Sequence, residues 1–145
     1  MKKDLHRLPE LPCACASLRR AARALTQFYA EEVRPLGLHA TQFTILQALM
    51  LTGEINQGAL GEVLAIDSTT LTRTLRIMLR EGWIAERRGE DRRERLISIT
   101  DAGRKLYEAA VPGWEKSQRK LRQRLGDKRW SELFIVTNEV TSLTV

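Results

Sequence analysis

Side chains that can bind phosphates and base edges recur along one side of the stretch from Ser68 to Trp83. At 100° per residue, Thr69, Arg73 and Arg76 fall on one face, and Arg80 falls with them. A guanidinium group can pair bidentately with a phosphate or a guanine edge, and a hydroxyl in the first turn can reach the same groups. The opposite face is apolar and carries Leu71, Leu75, Met78 and Leu79. The stretch therefore predicts an amphipathic helix whose outer face suits a nucleic acid.

A second group of cations lies between residues 89 and 94, which read Gly-Glu-Asp-Arg-Arg-Glu. Strand-like segments on both sides predict that this stretch is the tip of a β-hairpin. An arginine at such a tip fits the narrow minor groove of A·T-rich DNA, and we expect Arg93 there. We expect Asp91 to hold the Arg93 guanidinium, and Arg92 and Arg95 to contact phosphates. The acidic neighbours leave open the alternative of a solvated charged loop.

Two cysteines, Cys13 and Cys15, stand one residue apart at the start of a predicted helix. A helix N-terminus stabilises a thiolate, and Arg19, one turn after Cys15, can do the same. This environment is typical of a reactive cysteine and predicts a sensor of oxidants. The alternative is a pair of small residues packed at a dimer interface or exposed without a role.

The composition indicates one domain, or one domain with a helical extension, because the chain has 145 residues and 43% hydrophobic residues. A net charge of +6 favours an acidic partner, although its location matters more than its size. No apolar run approaches the length of a membrane span, so no membrane partner is expected. The first twelve residues contain no apolar signal core, and we expect a cytoplasmic protein with reduced thiols.

These candidate residues need elements to position them, and apolar spacing predicts six helices and two strands. Pro112 is expected to kink or break the fifth helix. The expected N-caps are Thr41, Asn56, Asp67 or Ser68, Thr100 and Asp127. The predicted helices cover residues 13–33, 41–52, 56–64, 68–81, 101–125 and 127–143, and the predicted strands cover 83–88 and 95–100.

The third and fourth helices are short and are joined by about three residues, which is the helix-turn-helix pattern. In that pattern the second helix enters the major groove. A hairpin directly after it is a wing. The predicted fold is therefore mainly α with a small β-hairpin wing, an α+β winged helix-turn-helix flanked by N- and C-terminal dimerisation helices.

The first and last helices share no obvious core with the winged part, so their apolar stripes need a partner. A second copy of the chain is the simplest partner, and a dimer would read a pseudo-palindrome with two recognition helices. The predicted organisation is an N-terminal arm at 1–12, a dimerisation helix at 13–36, a winged helix-turn-helix domain at 38–100 and C-terminal dimerisation helices at 101–145.

Taken together, residues 60–106 resemble the winged helix-turn-helix of the MarR (multiple antibiotic resistance regulator) family. The matching motifs are Asp67-Ser-Thr-Thr-Leu-Thr-Arg73, Asp91-x-Arg93, Leu96-Ile-Ser-Ile-Thr-Asp-Ala-Gly103 and Leu38-x-x-Thr-Gln-Phe43. With the flanking helices the resemblance covers about residues 13–145. It implies an obligate homodimer that regulates transcription, usually as a repressor released by a ligand or by oxidation. It also implies that Asp91 and Arg93 form the wing pair.

The resemblance extends in part to the hydroperoxide-sensing (OhrR) branch of the family, in which a similar spacing separates the cysteine from a tyrosine. Here Tyr29 follows Cys15 by fourteen residues. That branch also has a tyrosine one turn after its cysteine, whereas this chain has Arg19 there. The resemblance therefore supports a redox sensor only in part.

The leading hypothesis is a homodimeric, sequence-specific DNA-binding regulator, and the alternative is a winged-helix protein-interaction module without DNA binding. An enzyme is set aside, because the sequence contains no nucleophile–base pair, metal cluster or phosphate loop, and no cofactor is expected. The expected DNA contacts are Ser68, Thr69, Thr70, Thr72, Arg73, Arg76, Arg80, Arg92, Arg93 and Arg95, with Asp91 orienting the wing.

A small organic effector, often an aromatic acid in this family, is the remaining alternative to an oxidant. It would bind between the helical region and the winged domain, in a pocket lined by Arg20, Tyr29, His39 and Phe43. No metal site is expected, because two cysteines one residue apart on a helix point about 200° apart. The two histidines, His6 and His39, are not at ligand spacing either.

Overall fold

A computed structural model describes residues 8–143 of the chain. Six α-helices and three short strands lie in this range, in the order α1, α2, β1, α3, α4, β2, β3, α5, α6. Residues 1–7, with His6 and most of the arm expected at 1–12, lie outside the described part. The helices are α1 (Ala14–Val33), α2 (Ala40–Thr52), α3 (Gln57–Leu64), α4 (Ser68–Arg80), α5 (Asp101–Leu125) and α6 (Asp127–Ser142), and the strands are β1 (Ile55–Asn56), β2 (Ile84–Arg88) and β3 (Arg95–Ile99).

The winged part is built on the buried face of α2 and on the apolar sides of α3 and α4. Six residues of α2 are buried, so this helix is the centre of the core. The apolar face expected on α4 is confirmed, with Leu71, Leu75 and Met78 buried and Leu79 packed against them. Ala65, at φ 51°, turns the chain between α3 and α4. This left-handed turn lets two short helices pack within a few residues of each other.

The wing is part of a three-stranded antiparallel sheet with the order β1-β3-β2. Ile84 pairs with Ile99, and Arg88 pairs with Arg95, so β2 and β3 form the hairpin expected from the sequence. The sequence prediction missed β1, in which Ile55 pairs with Ile97. A strand of two residues is too short to show an alternating pattern.

The start of α5 is joined tightly to the end of the winged part. The Thr100 hydroxyl donates to the Gly82 carbonyl at 2.6 Å and accepts from the Gly103 backbone N–H at 3.1 Å, which confirms Thr100 as the N-cap. A Cβ at Gly103 would lie 2.0 Å from the Trp83 carbonyl oxygen, so only glycine permits this contact. The long helix is therefore fixed directly on the base of the wing.

The expectation that the first and last helices share no core with the winged part is wrong for the first helix, α1. Val33 of α1 and Ala110 of α5 are buried in the same cluster as the α2 side chains. Phe43 of α2 stacks on Tyr107 of α5, with ring centroids 5.4 Å apart. The end of α1 and the middle of α5 thus have a partner within the chain, whereas Leu18 and Ala22 on the same stripe of α1 are exposed. The domain limits at 38 and 100 stay a prediction.

Helix α6 differs, because none of its residues is buried. Phe134, Ile135, Val136, Val140 and Leu143 are exposed. Within residues 8–143, the densest group of uncovered large apolar side chains therefore lies on α6.

Two expected N-caps and the break expected at Pro112 are corrected by the structure. His39, not Thr41, is the N-cap of α2, where the Gln42 side chain accepts from the His39 backbone N–H. Gly126 is the N-cap of α6, and Asp127 instead forms an ion pair with Arg122 at 2.8 Å. Helix α5 runs unbroken through Pro112.

No helix within residues 8–143 is long and apolar enough to cross a membrane.

Candidate nucleic-acid interface

The first turn of α4 is fixed by Asp67, which is its N-cap as expected. One carboxylate oxygen accepts from the Thr70 backbone N–H at 2.9 Å, and the other accepts from the Thr70 hydroxyl at 2.6 Å. These hydrogen bonds, the hydroxyl bond foremost, lower the pKa of Asp67. Because Thr70 gives its hydroxyl proton to Asp67, its hydroxyl oxygen can only accept from a ligand.

The outer face of α4 presents the expected polar residues together. Ser68, Thr69, Thr72, Arg73 and Arg76 line one shallow concave surface. All of them are exposed except Thr72, which is half-buried. The face therefore offers hydroxyl groups at the N-terminal end and guanidinium groups further along. Arg80, in the last turn, is also exposed.

The tip of the wing is held by its backbone and by Asp91. The Asp91 carboxylate accepts from the Arg93 backbone N–H at 3.1 Å, and the Glu94 backbone N–H donates to the Asp91 carbonyl at 2.9 Å. The expected contact between Asp91 and the Arg93 guanidinium is therefore replaced by a contact with the Arg93 backbone. A short acidic side chain binds the N–H two residues on more readily than the end of a long side chain. The Arg93 side chain stays exposed and forms no ion pair among the described residues.

The wing and the recognition helix face the same cleft. Its volume is about 810 Å³, and its walls are α3, the turn after it, the first residues of α4, and the wing residues Arg93 and Arg95. Arg92 is exposed but is not among the lining residues. The structure thus brings Ser68, Thr72, Arg93 and Arg95 together around one cleft.

Two ion pairs hold the strands of the wing. Arg95, expected to contact phosphate, lies 3.3 Å from Glu86 on the neighbouring strand. Arg87 binds Glu54 with two nitrogens and so ties β2 to the loop before β1. The hydrogen bonds from Arg87 lower the pKa of Glu54. Neither Glu54 nor Arg87 was singled out from the sequence, because partners 33 residues apart leave no local pattern.

The sequence reasoning also missed a contact behind α4. The Gln57 side-chain amide donates to the Thr72 hydroxyl oxygen at 3.1 Å. Because the oxygen of Thr72 accepts this bond, its own proton is free to point to a ligand. Gln57 directly follows Asn56, the N-cap of α3, and this position is the only feature of the sequence that could have indicated the contact with Thr72.

Both cysteines are exposed and free, at the start of α1. Cys13 is the N-cap, with φ −114° and ψ 119°, so it lies outside α1. The angle of about 200° between the two cysteine side chains was expected for two residues within one helix and does not apply here. Tyr29 lies fourteen residues after Cys15 on the same helix, about 21 Å along its axis. Within one chain the proposed sensor residues Cys15 and Tyr29 therefore do not meet. Arg19, the basic residue among the sensor candidates, is exposed on α1.

A cavity of about 180 Å³ lies where α1, α2 and α5 meet. Tyr29 and Phe43 line it, as expected, but Arg20 and His39 do not. The Arg20 guanidinium instead donates to the Pro9 carbonyl at 2.9 Å, and His39 caps α2. The remaining lining residues are Leu25, Thr26, Val33, Ala40, Thr44, Gln47 and Trp114.

Tyr29 joins this cavity to the helical end of the molecule. Its hydroxyl donates to the Gln118 side-chain oxygen of α5. Burial raises the pKa of Tyr29 above its ordinary value, because the phenolate is poorly solvated there. Trp114 and Gln118 were not expected at this site, although Trp114 lies on the apolar stripe of α5.

Within residues 8–143, no group of three or more His, Cys, Asp or Glu side chains is placed to hold a metal ion.

Comparisons with known proteins agree on one family. Residues 38–94 match the model of the MarR family. The chain is 35% identical to the organic hydroperoxide resistance transcriptional regulator of Bacillus subtilis over 98 residues, 67% of each chain. It is 32% identical over 91 residues to the HTH-type transcriptional regulator YwoH of the same organism, 63% of this chain and 66% of YwoH. The matches span about two thirds of the length of these relatives.

Among solved structures, the chain resembles the Mycobacterium tuberculosis transcriptional regulator MosR in complex with DNA. The two are 34% identical with a TM-score of 0.82, and the match covers 91% of this chain and 96% of MosR.

Proposed function

This chain belongs to the MarR family of transcription regulators, and on that premise we propose that it is a repressor that binds a pseudo-palindromic DNA site as a homodimer. The observation that carries this proposal is the common cleft between the wing and the first turn of α4. A duplex laid against this side would meet the α4 face in its major groove and Arg93 in the adjacent minor groove.

The proposed contacts of the α4 face are of two kinds, contacts with base edges and contacts with phosphates. Arg73 and Arg76 lie in the middle of the helix, where a major-groove helix meets base edges, and are proposed to pair with guanine. Ser68, Thr69 and Thr72 lie nearer the N-terminus, where hydroxyls and backbone N–H groups suit phosphates. Both donors of Thr70 are bound to Asp67, so the Thr70 oxygen is proposed to accept from a donor on a base edge. Arg80, Arg92 and Arg95 are proposed to contact phosphates from the edges of this surface.

The homodimer is supported by α6. Val136, Val140 and Leu143 are exposed at positions i, i+4 and i+7, so they form one stripe along the helix. A stripe of this kind on an otherwise packed chain suits the same surface of a second copy, because two-fold symmetry buries both at once.

The DNA proposal is tested with single arginine substitutions and fluorescence anisotropy. The probes are a duplex that the protein selects from a randomised library and a mixed-sequence duplex of equal length. We expect Arg73→Ala to weaken binding to the selected duplex by roughly 10- to 100-fold, since one bidentate base contact is lost. Arg93→Ala should weaken it roughly tenfold and reduce the salt dependence by about one ion.

The matched control is Arg129→Ala, which removes an equally exposed arginine from α6. It should change binding by less than about twofold. Equal losses from Arg73→Ala and Arg129→Ala would place the DNA surface elsewhere. If the protein selects no duplex at all, the proposed function is wrong, and the winged-helix interaction module becomes the better hypothesis.

For release of the repressor by a ligand, we propose a neutral single-ring aromatic molecule in the cavity lined by Tyr29, Phe43 and Trp114. The volume of about 180 Å³ suits one ring. No cationic side chain is among the lining residues, so the cavity offers no counter-ion to the carboxylate of an aromatic acid. Phenol should raise the melting temperature of the wild type but not of Ala40→Leu, whose larger side chain fills the cavity. Equal shifts in both would contradict this site.

For release by oxidation, we propose Cys15 as the reacting thiol, because it is exposed in the first turn of α1. A hydroperoxide would transfer one oxygen to the thiolate, giving a sulfenic acid and releasing an alcohol. The homologous regulator of organic hydroperoxide resistance is consistent with this chemistry. Hydroperoxide should release DNA from the wild type and not from Cys15→Ser, and equal release from both would exclude the role.

A further inference from the structure

Glu94 is an acidic residue in a place where a DNA-binding surface would be expected to avoid one. It lies at the tip of the wing, directly before β3 and next to the cleft-lining residues Arg93 and Arg95, and it is half-buried. Within residues 8–143 it forms no ion pair. A carboxylate here repels phosphates, so its presence calls for a role other than attraction.

The Glu94 side chain is folded back against the hairpin. A Cβ on Gly89 would lie 2.3 Å from one Glu94 carboxylate oxygen and 2.8 Å from the Glu94 Cβ. The Gly89 backbone N–H also donates to the Glu94 carbonyl at 3.1 Å. Glycine at position 89 thus makes room for the carboxylate, and the wing tip closes around it.

The free end of this carboxylate faces Asn56, which is 38 residues away in the sequence. The Asn56 amide nitrogen lies 3.4 Å from Glu94 Oε1. Its amide oxygen accepts from the Gly58 backbone N–H at 2.7 Å and caps α3. Asn56 also pairs with Leu96 in the sheet. The Asn56 amide nitrogen therefore contacts the wing, and the Asn56 amide oxygen caps α3, the first helix of the helix-turn-helix.

The next residue continues the connection to the recognition helix. Gln57 donates to the Thr72 hydroxyl at 3.1 Å. Glu94, Asn56, Gln57 and Thr72 thus form a line of contacts from the wing to the α4 face, and all four are half-buried.

We propose that Glu94 and Asn56 are positioning residues that fix the wing, and with it Arg93, relative to the recognition helix. This inference rests on the proposed function. The contact sets the distance between the minor-groove and major-groove readers, so its loss lowers discrimination between DNA sequences. The negative charge itself lowers affinity for every sequence. The two effects of Glu94 are therefore separable.

The first test compares Glu94→Gln with Glu94→Ala on the selected duplex and the mixed-sequence duplex defined above. Glu94→Gln keeps an oxygen for the Asn56 amide and removes the charge. We expect it to bind both duplexes more tightly and to keep their affinity ratio. Glu94→Ala loses the acceptor, and we expect its ratio to fall roughly five- to tenfold. A ratio that Glu94→Ala leaves at the wild-type value would overturn the positioning role.

The second test reverses the polarity of the contact. Asn56→Asp still caps α3, because aspartate is as good an N-cap as asparagine, but it places a second carboxylate against Glu94. Its affinity ratio should fall as in Glu94→Ala, with a melting curve that shows a folded protein. The double variant Asn56→Asp/Glu94→Gln again pairs a donor with an acceptor, and it should recover most of the wild-type ratio. A double variant no better than Asn56→Asp would contradict the proposal.

The proposed function and the positioning role are contradicted by different results. If the wild type selects no duplex, the proposed function itself is wrong. If the wild type selects a duplex and the variants keep its affinity ratio, the DNA-binding proposal stands and only the positioning role is lost.

Discussion

The winged segment and the C-terminal helices use their apolar and charged residues in opposite ways. Twelve of the fourteen buried apolar side chains lie between residues 38 and 100, whereas α6 has no buried residue. Within the same winged segment, eight arginines are balanced by eight acidic residues. Residues 116–129, at the end of α5 and the start of α6, carry seven basic residues and one acidic residue.

The net charge of +6 therefore does not indicate where the proposed DNA-binding surface lies. The winged segment is neutral overall, and its proposed DNA contacts depend on where its arginines lie, on the α4 face and on the wing. The C-terminal helices carry the excess charge and an uncovered apolar stripe. We interpret the first region as complete within one chain and the second as completed by a second copy.

The largest effect is expected from a substitution that opens the closed region. Leu71 is 2% exposed on the inner face of α4, and Leu71→Ala should lower the free energy of unfolding by about 3 kcal/mol. Ile77, on the same helix, is 37% exposed, and Ile77→Ala should cost less than about 1 kcal/mol. Urea denaturation followed by circular dichroism measures both. Similar losses would mean that α4 packs differently.

The next effect concerns the uncovered stripe. Val136→Glu should weaken dimerisation by roughly 100-fold, because it places a charge in an apolar interface. Asn138→Glu adds the same charge about 200° around α6, and the dimer should persist. Sedimentation velocity over a concentration series measures the dissociation constants. A dimer that tolerates Val136→Glu would show that another surface forms it.

The smallest effect is expected where the two regions meet, at Tyr29. Tyr29→Phe removes the hydrogen bond to Gln118 and should cost about 1 kcal/mol of unfolding free energy at neutral pH. Burial raises the pKa of Tyr29 in the folded state. The free energy of unfolding that neutral Tyr29 contributes is therefore fully present below the ordinary tyrosine pKa, and it is lost as the pH rises through the raised pKa.

Denaturation curves of the wild type and Tyr29→Phe between neutral and strongly alkaline pH measure this difference. The gap between the two proteins should shrink as the pH rises. A gap that stays constant would mean that Tyr29 ionises equally in the folded and unfolded states.

The sequence predicted the winged part well because its signals are local. The α4 stripe, the caps Asn56, Asp67 and Thr100, and the charged hairpin tip each depend on residues a few positions apart. Side-chain periodicity and capping act over such distances, so the helix order and the polar face of α4 could be derived.

The rest depends on contacts between distant residues, which leave no local pattern. Phe43 on Tyr107, Glu54 with Arg87 and Asn56 with Glu94 join residues at least 33 positions apart. The prediction that Asp91 binds the Arg93 guanidinium was wrong for a different reason. Either a guanidinium or a backbone N–H satisfies a carboxylate, and only the turn geometry decides between them.

The most direct test of the central claim is the stoichiometry of the complex with the selected duplex, measured by native mass spectrometry. Two protein chains are expected on each duplex, since the winged segments are proposed to bind DNA and the α6 stripes are proposed to join two copies. Val136→Glu should reduce the two-chain complex at the same concentration, and Asn138→Glu should retain it. One chain per duplex at saturation, with undiminished affinity, would contradict the account.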